Sequence, residues 1–226
     1  MIKNFTLIQK VQLTYNIFEL IFEWKDDIDM IPGQFITFLL DNIWWRAYSI
    51  LEAKWKNITL IIKKRELSDW WRWWSKFICE LGVWDVLKWV WPAWKFFLQK
   101  NNKNKLFLGT GTWVVPLYNQ IIWSIEQRQD CKLKLIFWIR ASKDLFYIDK
   151  FEKLKQRYPN FDFVIYLSSE KIDLCEKWYV TEFLIPKNTK SFEEFYICWI
   201  PAMIDSSVKM LKNLWISEKN MFLEKY

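Results

Sequence analysis

Residues Leu108 to Leu117 have the spacing of a phosphate-binding loop. They read Leu-Gly-Thr-Gly-Thr-Trp-Val-Val-Pro-Leu, with two closely spaced glycines between an apolar run and an amphipathic one. A strand that ends in glycines and leads into a helix directs backbone N–H groups and a helix N-terminus at a phosphate. A bare Gly-Thr-Gly is also compatible with a plain tight turn. Its place after an apolar strand favours a dinucleotide site, and a glycine at position 113 would strengthen that interpretation.

The side chains that carry out most cofactor-free catalysis are absent or scattered. The chain contains no histidine, which excludes a His-based triad, a His metal site and a His general base. Its four cysteines, Cys79, Cys131, Cys175 and Cys198, include no close pair. They therefore lack the spacing of a zinc or iron–sulfur site and are predicted to be buried thiols. No metal site is predicted, and any catalysis must depend on a cofactor.

The elements that must position the loop divide the chain into two predicted domains. Short runs rich in β-branched and aromatic residues predict strands at 5–14, 17–23, 34–40, 46–50 and 58–64. After the polar stretch 100–105, apolar strands alternate with amphipathic helices. This alternation is typical of a parallel sheet with crossover helices. We predict a β-barrel over residues 1–100 and an α/β domain over residues 101–226.

Composition and charge limit the class of protein. The 226 residues are 52% hydrophobic and 26% charged, as in a soluble globular protein. No apolar stretch approaches the roughly 18 residues of a spanning helix, and the N-terminal residues lack a signal-peptide pattern. The expectation is a cytoplasmic protein with no integral membrane segment. The net charge of +7 is compatible with a nucleic acid, an anionic membrane surface or an acidic protein partner. Because Lys and Arg are interspersed with Asp and Glu, solvated faces are the simpler interpretation.

Tryptophan and glycine occur in unusual numbers. The chain has 18 Trp and 4 Gly, whereas an average chain of this length carries roughly 16 Gly. Several Trp stand in turn contexts, such as Trp84 before Asp85 and Trp91 before Pro92. We hypothesise that most Trp letters represent glycine, through a UGA codon read as Trp although the source inserts Gly. A truly Trp-rich protein, with a membrane-interface belt or a nucleic-acid stacking platform, is the alternative. That alternative does not explain the missing glycine. Residues are named as printed.

A series of motifs spans nearly the whole chain. In order, they are Pro32-Gly33-Gln34-Phe35, Arg46-Ala47-Tyr48-Ser49-Ile50, Trp73-Trp74-Ser75, Leu81 to Leu87, Trp91 to Phe96, Gly109 to Pro116, Phe137 to Arg140, Trp178 to Thr181 and Tyr196 to Met203. The series resembles the ferredoxin-NADP reductase superfamily, which combines a FAD-binding barrel with an NAD(P)-binding domain. Six Trp coincide with family glycines: Trp74, Trp91, Trp94, Trp113, Trp138 and Trp199. The resemblance implies an antiparallel Greek-key barrel followed by a Rossmann-like parallel sheet.

The resemblance implies a set of FAD-binding residues. Arg46 would meet the pyrophosphate, Tyr48 would lie against the isoalloxazine, and the Ser49 hydroxyl would hydrogen-bond flavin N5. A helix N-terminus would bind the same pyrophosphate. The full set is Arg46, Ala47, Tyr48, Ser49, Trp74 (as Gly), Ser75 and Lys76.

The resemblance also implies an NAD(P) site and a catalytic set. The NAD(P)-binding residues are Gly109, Thr110, Gly111, Thr112, Trp113 (as Gly), Pro116, Arg140, Ser168, Ser169, Lys171 and Cys198. The catalytic set is Ser49, Cys198, Glu224 and Tyr226. Cys198 would sit beside the nicotinamide, although a small buried hydrophobe is the simpler interpretation of a lone Cys. Tyr226 would stack over the nicotinamide position, or it is a frayed chain end.

The implied reaction is hydride transfer from NAD(P)H to FAD, followed by electron delivery to an acidic carrier such as ferredoxin or flavodoxin. The coenzyme is NADPH or NADH. The family label favours NADPH, but Ser168-Ser169-Glu170-Lys171 lacks the Ser-Arg pair of NADP-specific relatives. The chain also lacks the cysteine cluster of [2Fe–2S] relatives. A monomer or small oligomer that binds no nucleic acid is expected. The alternatives are an NADH-dependent flavin or cytochrome-type reductase, a non-catalytic nucleic-acid-binding barrel, and a degenerate flavoprotein kept as an interaction module.

Overall fold

A computed structural model describes residues 2–28, 30–40, 44–65, 73–93, 96–173, 175–177 and 180–225. The chain divides into two compact units, Met1–Lys95 and Phe96–Tyr226. In the described ranges, no helix has the length and apolar character needed to cross a membrane.

The first unit is a closed barrel of six antiparallel strands, which confirms the predicted barrel. Strand β3 lies beside β4 and β4 beside β5, while β2 returns to pair with β5. This spatial order, β1-β2-β5-β4-β3-β6, contains a Greek key. The elements are β1 (Ile2–Gln12), β2 (Ile17–Glu23), β3 (Phe35–Leu40), β4 (Trp44–Lys54), β5 (Asn57–Lys63), α1 (Trp73–Glu80) and β6 (Val86–Ala93).

Aromatic rings fill the barrel interior. Trp89 is fully buried, and its ring centroid lies 4.1 Å from that of Phe38, 4.7 Å from Phe5 and 4.9 Å from Phe22. These residues alternate with outward-facing ones along their strands, as a period of two requires. Their burial removes a large apolar area from water and holds the barrel closed.

The second unit is a six-stranded parallel sheet with helices between its strands, as predicted. The strand order is β10-β9-β8-β7-β11-β12. Every residue of the neighbouring inner strands β7 and β11 is buried, as expected where helices cover both faces. The elements are β7 (Lys105–Thr110), α2 (Val114–Glu126), β8 (Leu133–Ile139), α3 (Ile148–Arg157), β9 (Phe161–Leu167), β10 (Glu176–Lys177), α4 (Pro186–Thr189), β11 (Glu194–Trp199), α5 (Pro201–Asn213) and β12 (Met221–Lys225).

A polar cluster lies at the amino-terminal ends of β7 and β11. The fully buried Lys105 ammonium donates hydrogen bonds to the carbonyl oxygens of Asn101 (2.8 Å) and Lys103 (3.0 Å), and lies 3.9 Å from a Glu194 carboxylate oxygen. The Tyr196 hydroxyl donates to the same carboxylate oxygen over 2.8 Å. Burial lowers the pKa of Lys105, and the nearby Cys131 and Glu194 oppose that shift. The cluster anchors residues 101–103 to the sheet.

Three tryptophans occupy turn positions that favour glycine. Within the described ranges, five non-glycine residues have positive φ, and three are Trp55, Trp84 and Trp215. A side chain at positive φ brings its Cβ too close to backbone oxygen, which costs about 1–2 kcal/mol. The three residues are 76%, 72% and 96% exposed, so burial of their indoles does not offset this backbone cost.

Hydrogen bonds identify two of these turns, and strand pairing identifies the third. Helix α5 ends in a Schellman motif, in which the N–H of Ile216 donates to the Leu211 carbonyl and the N–H of Trp215 to the Lys212 carbonyl. Trp215, with φ 62°, holds the position just beyond the helix that is usually glycine.

Trp84 lies in a four-residue turn closed by a 3.1 Å bond from the Asp85 N–H to the Gly82 carbonyl. Its φ of 83° at the third position is that of a type II turn, which requires glycine there. Trp55, at φ 57°, is the first residue of the two-residue loop between β4 and β5. A type II′ hairpin has glycine at that position.

Candidate functional site

The predicted phosphate-binding loop lies between β7 and α2. A Cβ on Gly109 would stand 2.7 Å from a Leu117 methyl carbon and 3.2 Å from the Val114 Cα, so a larger residue here would require Leu117 and the start of α2 to shift. Gly111 has a φ of 50° and open space around it. The helical turn from Gly111 and the start of α2 at Val114 both lack a side-chain cap. Backbone N–H groups without a side-chain cap, next to a glycine with open space around it, can donate hydrogen bonds to a phosphate.

The remaining predicted loop residues cluster around this turn. Thr110 is buried at the end of β7, Thr112 and Trp113 are half-buried, and Pro116 is buried in the first turn of α2. The structure therefore brings all six predicted loop residues into one strand–turn–helix connection at the carboxyl edge of the sheet. Such an edge is where ligands bind in this type of sheet.

A row of paired residues crosses three neighbouring strands beside this loop, formed by Gly109 on β7, Cys198 on β11 and Glu224 on β12. Cys198 pairs in register with Gly109 on one side and with Glu224 on the other. The Cys198 thiol donates a hydrogen bond to a Glu224 carboxylate oxygen at 3.8 Å. Burial raises the pKa of Cys198 well above its ordinary value, and the Glu224 carboxylate raises it further. Cys198 is therefore a neutral thiol that can donate a hydrogen bond, and it is unsuited to nucleophilic attack as a thiolate.

Other predicted nucleotide contacts follow β8 and β9. Arg140 is exposed, and its carbonyl accepts hydrogen bonds from the Ser169 N–H (3.0 Å) and the Ser169 hydroxyl (2.5 Å). The Ser168 N–H donates to the Ile139 carbonyl, and Lys171 is exposed. These residues form one group on the β8–β9 side of the glycine loop.

A carboxylate in this group was not among the predicted site residues. Glu170 accepts a short hydrogen bond from the Ser142 N–H, which joins the loop after β9 to the loop after β8. The sequence offered one indication, because Glu170 follows a buried strand at the edge where ligands bind. Its contact with Ser142 could be inferred only once β8 and β9 were known to be neighbours in the sheet.

Indoles stand on both sides of the glycine loop. Trp138 at the end of β8 pairs with Thr110, and Trp199 ends β11 on the other side. Their ring centroids are 5.8 Å apart, so the two side chains meet across β7. Trp113 packs against the same apolar cluster. All three are positions where the motif series predicts glycine, and as tryptophan they occupy space beside the phosphate-binding turn.

The predicted flavin residues of the barrel lie together on β4. Arg46 is exposed, whereas Ala47, Tyr48 and Ser49 are half-buried. Because successive residues of a strand point to opposite faces, Tyr48 and Ser49 face different sides. The Tyr48 ring packs edge-on against Phe38 with centroids 5.5 Å apart. Burial raises the pKa of Tyr48, so its hydroxyl stays protonated at neutral pH.

Helix α1 carries the remaining FAD candidates. The Trp74 indole is buried in the barrel core, while Ser75 and Lys76 are half-buried. The Ser75 hydroxyl accepts a hydrogen bond from the Arg65 N–H over 3.2 Å. Residues 66–72, Trp94, Trp178, Tyr179 and Tyr226 lie outside the described residues, as do the side chains of Trp91, Val180 and Thr181.

The second unit matches a known family. Residues 107–209 match the family described as "Oxidoreductase NAD-binding domain". The match begins in β7 and continues into α5, so it contains the glycine loop and Cys198.

Two curated relatives are, by name, a reductase subunit and an electron transfer component. The chain is 27% identical over 164 residues to the F component of the Na(+)-translocating NADH-quinone reductase of Neisseria meningitidis, covering 67% of this chain and 40% of that protein. It is 26% identical over 205 residues to the toluate 1,2-dioxygenase electron transfer component of Pseudomonas putida, covering 89% and 60%. The chain thus spans less than two thirds of the length of these relatives.

Solved structures share the whole two-unit fold. A ferredoxin NADP+ reductase from Neisseria gonorrhoeae with bound FAD and NADP has a TM-score of 0.84 at 17% identity, covering 99% of this chain and 98% of that one. The FAD/NAD binding domain of a nitric oxide dioxygenase from Vibrio cholerae has a TM-score of 0.85 at 16% identity, with the same coverage. The fold is therefore that of these FAD- and NAD(P)-binding proteins.

Proposed function

We propose that this chain, a ferredoxin-reductase-like FAD/NAD-binding oxidoreductase by its fold and its NAD-binding domain, transfers hydride from NAD(P)H to FAD and passes the electrons to a protein acceptor. Residues 1–100 would be the FAD-binding barrel and residues 101–226 the NAD(P)-binding domain. The observation that carries the proposal is the row formed by Gly109, Cys198 and Glu224 beside an uncapped helix start.

The glycine loop would hold the coenzyme pyrophosphate. Its uncapped N–H groups supply donors, and the partial positive charge of the α2 N-terminus attracts the phosphates. The absence of a Cβ at Gly111 keeps the approach to these donors open. Arg140 adds a positive charge beside the same edge. Binding and orientation, rather than side-chain chemistry, are the tasks of this loop.

Cys198 and Glu224 would position the nicotinamide. The neutral Cys198 thiol keeps its proton near neutral pH, because burial raises its pKa. Glu224 accepts that hydrogen bond and so fixes the direction of the thiol. Ser49 and Tyr226 complete the proposed catalytic set.

The β4 residues and α1 would hold FAD. The exposed Arg46 guanidinium can form a charge-assisted pair with a pyrophosphate, and Ser49 carries a hydroxyl for flavin N5. Ala47 and Tyr48 would line the flavin, and position 74, Ser75 and Lys76 would direct N–H groups at its pyrophosphate. Bound FAD supplies the hydride-accepting centre that no side chain of this histidine-free chain offers.

The proposed acceptor is an acidic carrier such as ferredoxin or flavodoxin. The net charge of +7 supports this partner, because opposite charges accelerate encounter. Reduction of such a carrier should slow as salt rises, since screening shortens the reach of the charges. A rate that is independent of salt would count against this partner.

We further propose that most of the tryptophans represent glycine. The backbone supports this at Trp55, Trp84 and Trp215, which occupy three different kinds of glycine turn. The meeting of the Trp138 and Trp199 rings across β7 supports it at the coenzyme edge. A gene whose codons at these positions are UGG would disprove the proposal.

The test compares two versions of the full chain. The glycine-restored chain carries glycine at positions 55, 74, 84, 91, 94, 113, 138, 199 and 215, and the control chain keeps the printed tryptophans. We expect the restored chain to be yellow, to show flavin absorbance after desalting, and to reduce a dye with NAD(P)H. A colourless restored chain that folds would refute the reductase, and oligonucleotide binding by it would favour the nucleic-acid-binding alternative.

A further inference from the structure

Strands β7 and β11 lack the hydrophobic pattern that fixes register in most sheets. Where one face of a sheet is polar, a slip of one residue moves the apolar side chains into water, so the register is strongly specified. Every residue of β7 and β11 is buried, so a slipped pairing of these two strands would still bury apolar side chains. Another interaction must therefore hold β11 at one place along β7.

Each of the two strands begins with a charged residue, and the two residues face each other. Lys105 pairs in register with Glu194, and both are buried. The remaining residues of β7 and β11 are uncharged. A slip of one residue would displace the two charged groups by about 3.3 Å along the strands. Because separating a buried ammonium from its buried carboxylate is costly, the pair favours a single register.

Neighbouring groups hold both charges of the pair in place. The Lys105 ammonium donates to the Asn101 carbonyl (2.8 Å), the Asn101 side-chain oxygen (3.0 Å) and the Lys103 carbonyl (3.0 Å). The Glu194 carboxylate accepts from the Asn101 side-chain amide over 2.7 Å and from the Tyr196 hydroxyl over 2.8 Å. A buried polar network whose members are hydrogen-bonded is rigid and specifies one arrangement.

The same register places Cys198 opposite Gly109 at the other end of the two strands. We propose that the Lys105–Glu194 pair positions the two halves of the coenzyme site, because it sets where Cys198 stands relative to the glycine loop. This inference rests on the proposed function and deepens it, since the loop would hold the pyrophosphate and Cys198 the nicotinamide. A slip of one residue would place Cys198 beside a different residue of β7 and turn its side chain to the other face of the sheet. The pair is remote from the loop and acts only through the register.

The test replaces the pair by neutral side chains in the full glycine-restored chain. Lys105→Met/Glu194→Gln removes both charges together, so neither is left buried alone, and the glutamine oxygen still accepts from the Tyr196 hydroxyl. Phe195→Leu is the matched control, because it loosens packing in the same strand and keeps both charges. Glu194→Gln alone is the milder second variant, in which Lys105 keeps its carbonyl acceptors; it serves if the double variant does not fold.

The register is measured first, without coenzyme. In an isotope-labelled chain, nuclear Overhauser contacts between the backbone protons of Cys198 and those of Gly109 report the pairing of β11 with β7. We expect one set of contacts in the parent chain and in Phe195→Leu. The charge-free variant should show a second, slipped set. A single, unchanged register in that variant overturns the proposal.

Two further measurements separate the halves of the coenzyme site. Calorimetric binding of ADP-ribose reports on the glycine loop, and kcat for dye reduction with NAD(P)H reports on alignment of the nicotinamide. Because the loop would bind the pyrophosphate in either register, binding does not restore the native one. In the charge-free variant we therefore expect kcat to fall at least about twofold, in proportion to the slipped fraction, with KM and the affinity for ADP-ribose unchanged. Phe195→Leu should change none of these quantities.

The outcomes distinguish this inference from the function on which it rests. If kcat stays at the parent value, or if ADP-ribose binding is lost together with kcat, the pair does not position Cys198 against the loop, and the reductase still stands. A folded parent chain that reduces no dye refutes the proposed function instead. In that case the contacts between β7 and β11 still decide whether the pair sets the register.

Discussion

Replacement of Trp215 by glycine should stabilise the protein as printed. Trp215 holds the left-handed position that ends α5, with φ 62° and 96% of its surface exposed. Its conformation costs about 1–2 kcal/mol relative to glycine. Glycine is also more flexible than tryptophan in the unfolded chain, so fixing it on folding costs roughly 0.5–1 kcal/mol more. This cost offsets part of the stabilisation. The expected net increase in the free energy of unfolding is about 1 kcal/mol.

The assay is urea unfolding followed by circular dichroism, because loss of an indole alters fluorescence. An increase of about 1 kcal/mol should raise the melting temperature by roughly 2–4 °C in a protein of this size. The slope m should not change, since the surface exposed on unfolding is nearly the same. Amide hydrogen exchange should show the added protection in the last turn of α5, where the Ile216 N–H donates to the Leu211 carbonyl.

Trp215→Ala is the matched control. It removes the same exposed indole but keeps the Cβ, so the left-handed penalty remains and the free energy of unfolding should change by less than about 0.5 kcal/mol. If alanine stabilises as much as glycine does, the indole and not the backbone is responsible. A loss of stability in Trp215→Gly would refute the reasoning outright.

Three further changes test the second unit. Gly109→Ala should lower the free energy of unfolding by about 1–3 kcal/mol, because the new Cβ would stand 2.7 Å from Leu117. Thermal unfolding measures this loss, and unchanged stability would contradict the prediction. Lys105→Ala should lower the free energy of unfolding by about 3–5 kcal/mol, because it leaves the buried Glu194 carboxylate without its cation. Adding Glu194→Gln to this variant should recover part of that loss, as measured by urea unfolding. Burial raises the pKa of Asp162, but hydrogen bonds from two lysines outweigh burial and lower it overall. The stability this provides should be complete at neutral pH and lost as the pH falls below about 4, whereas Asp162→Asn should flatten that part of the pH profile.

The fold could be predicted from the sequence because each unit repeats one local pattern. Short runs rich in β-branched and aromatic residues marked barrel strands such as β2 and β5. Apolar runs followed by amphipathic segments marked the parallel sheet. The strands β6 and β12 and the shortest elements were missed. Strand β10 has two residues and helix α4 has four, too few for a periodic pattern to show.

The candidate site could be predicted only in part. The glycine loop is contiguous in sequence, so its residues could be identified together. The contact between Cys198 and Glu224 depends on the register of β11 against β12, which spacing along the chain could not supply. Glu170 and Ser142 come from loops after different strands, so their hydrogen bond follows only once β8 and β9 are known to be neighbours.

The indoles that meet across β7 have a consequence for the gene itself. If these codons are UGA and the source cell reads them as glycine, a cell that reads UGA as tryptophan would place Trp138 and Trp199 beside the glycine loop. A cell with the standard code would stop translation at the first such codon. Transfer of the gene to either cell should then deliver no protein with an open glycine loop.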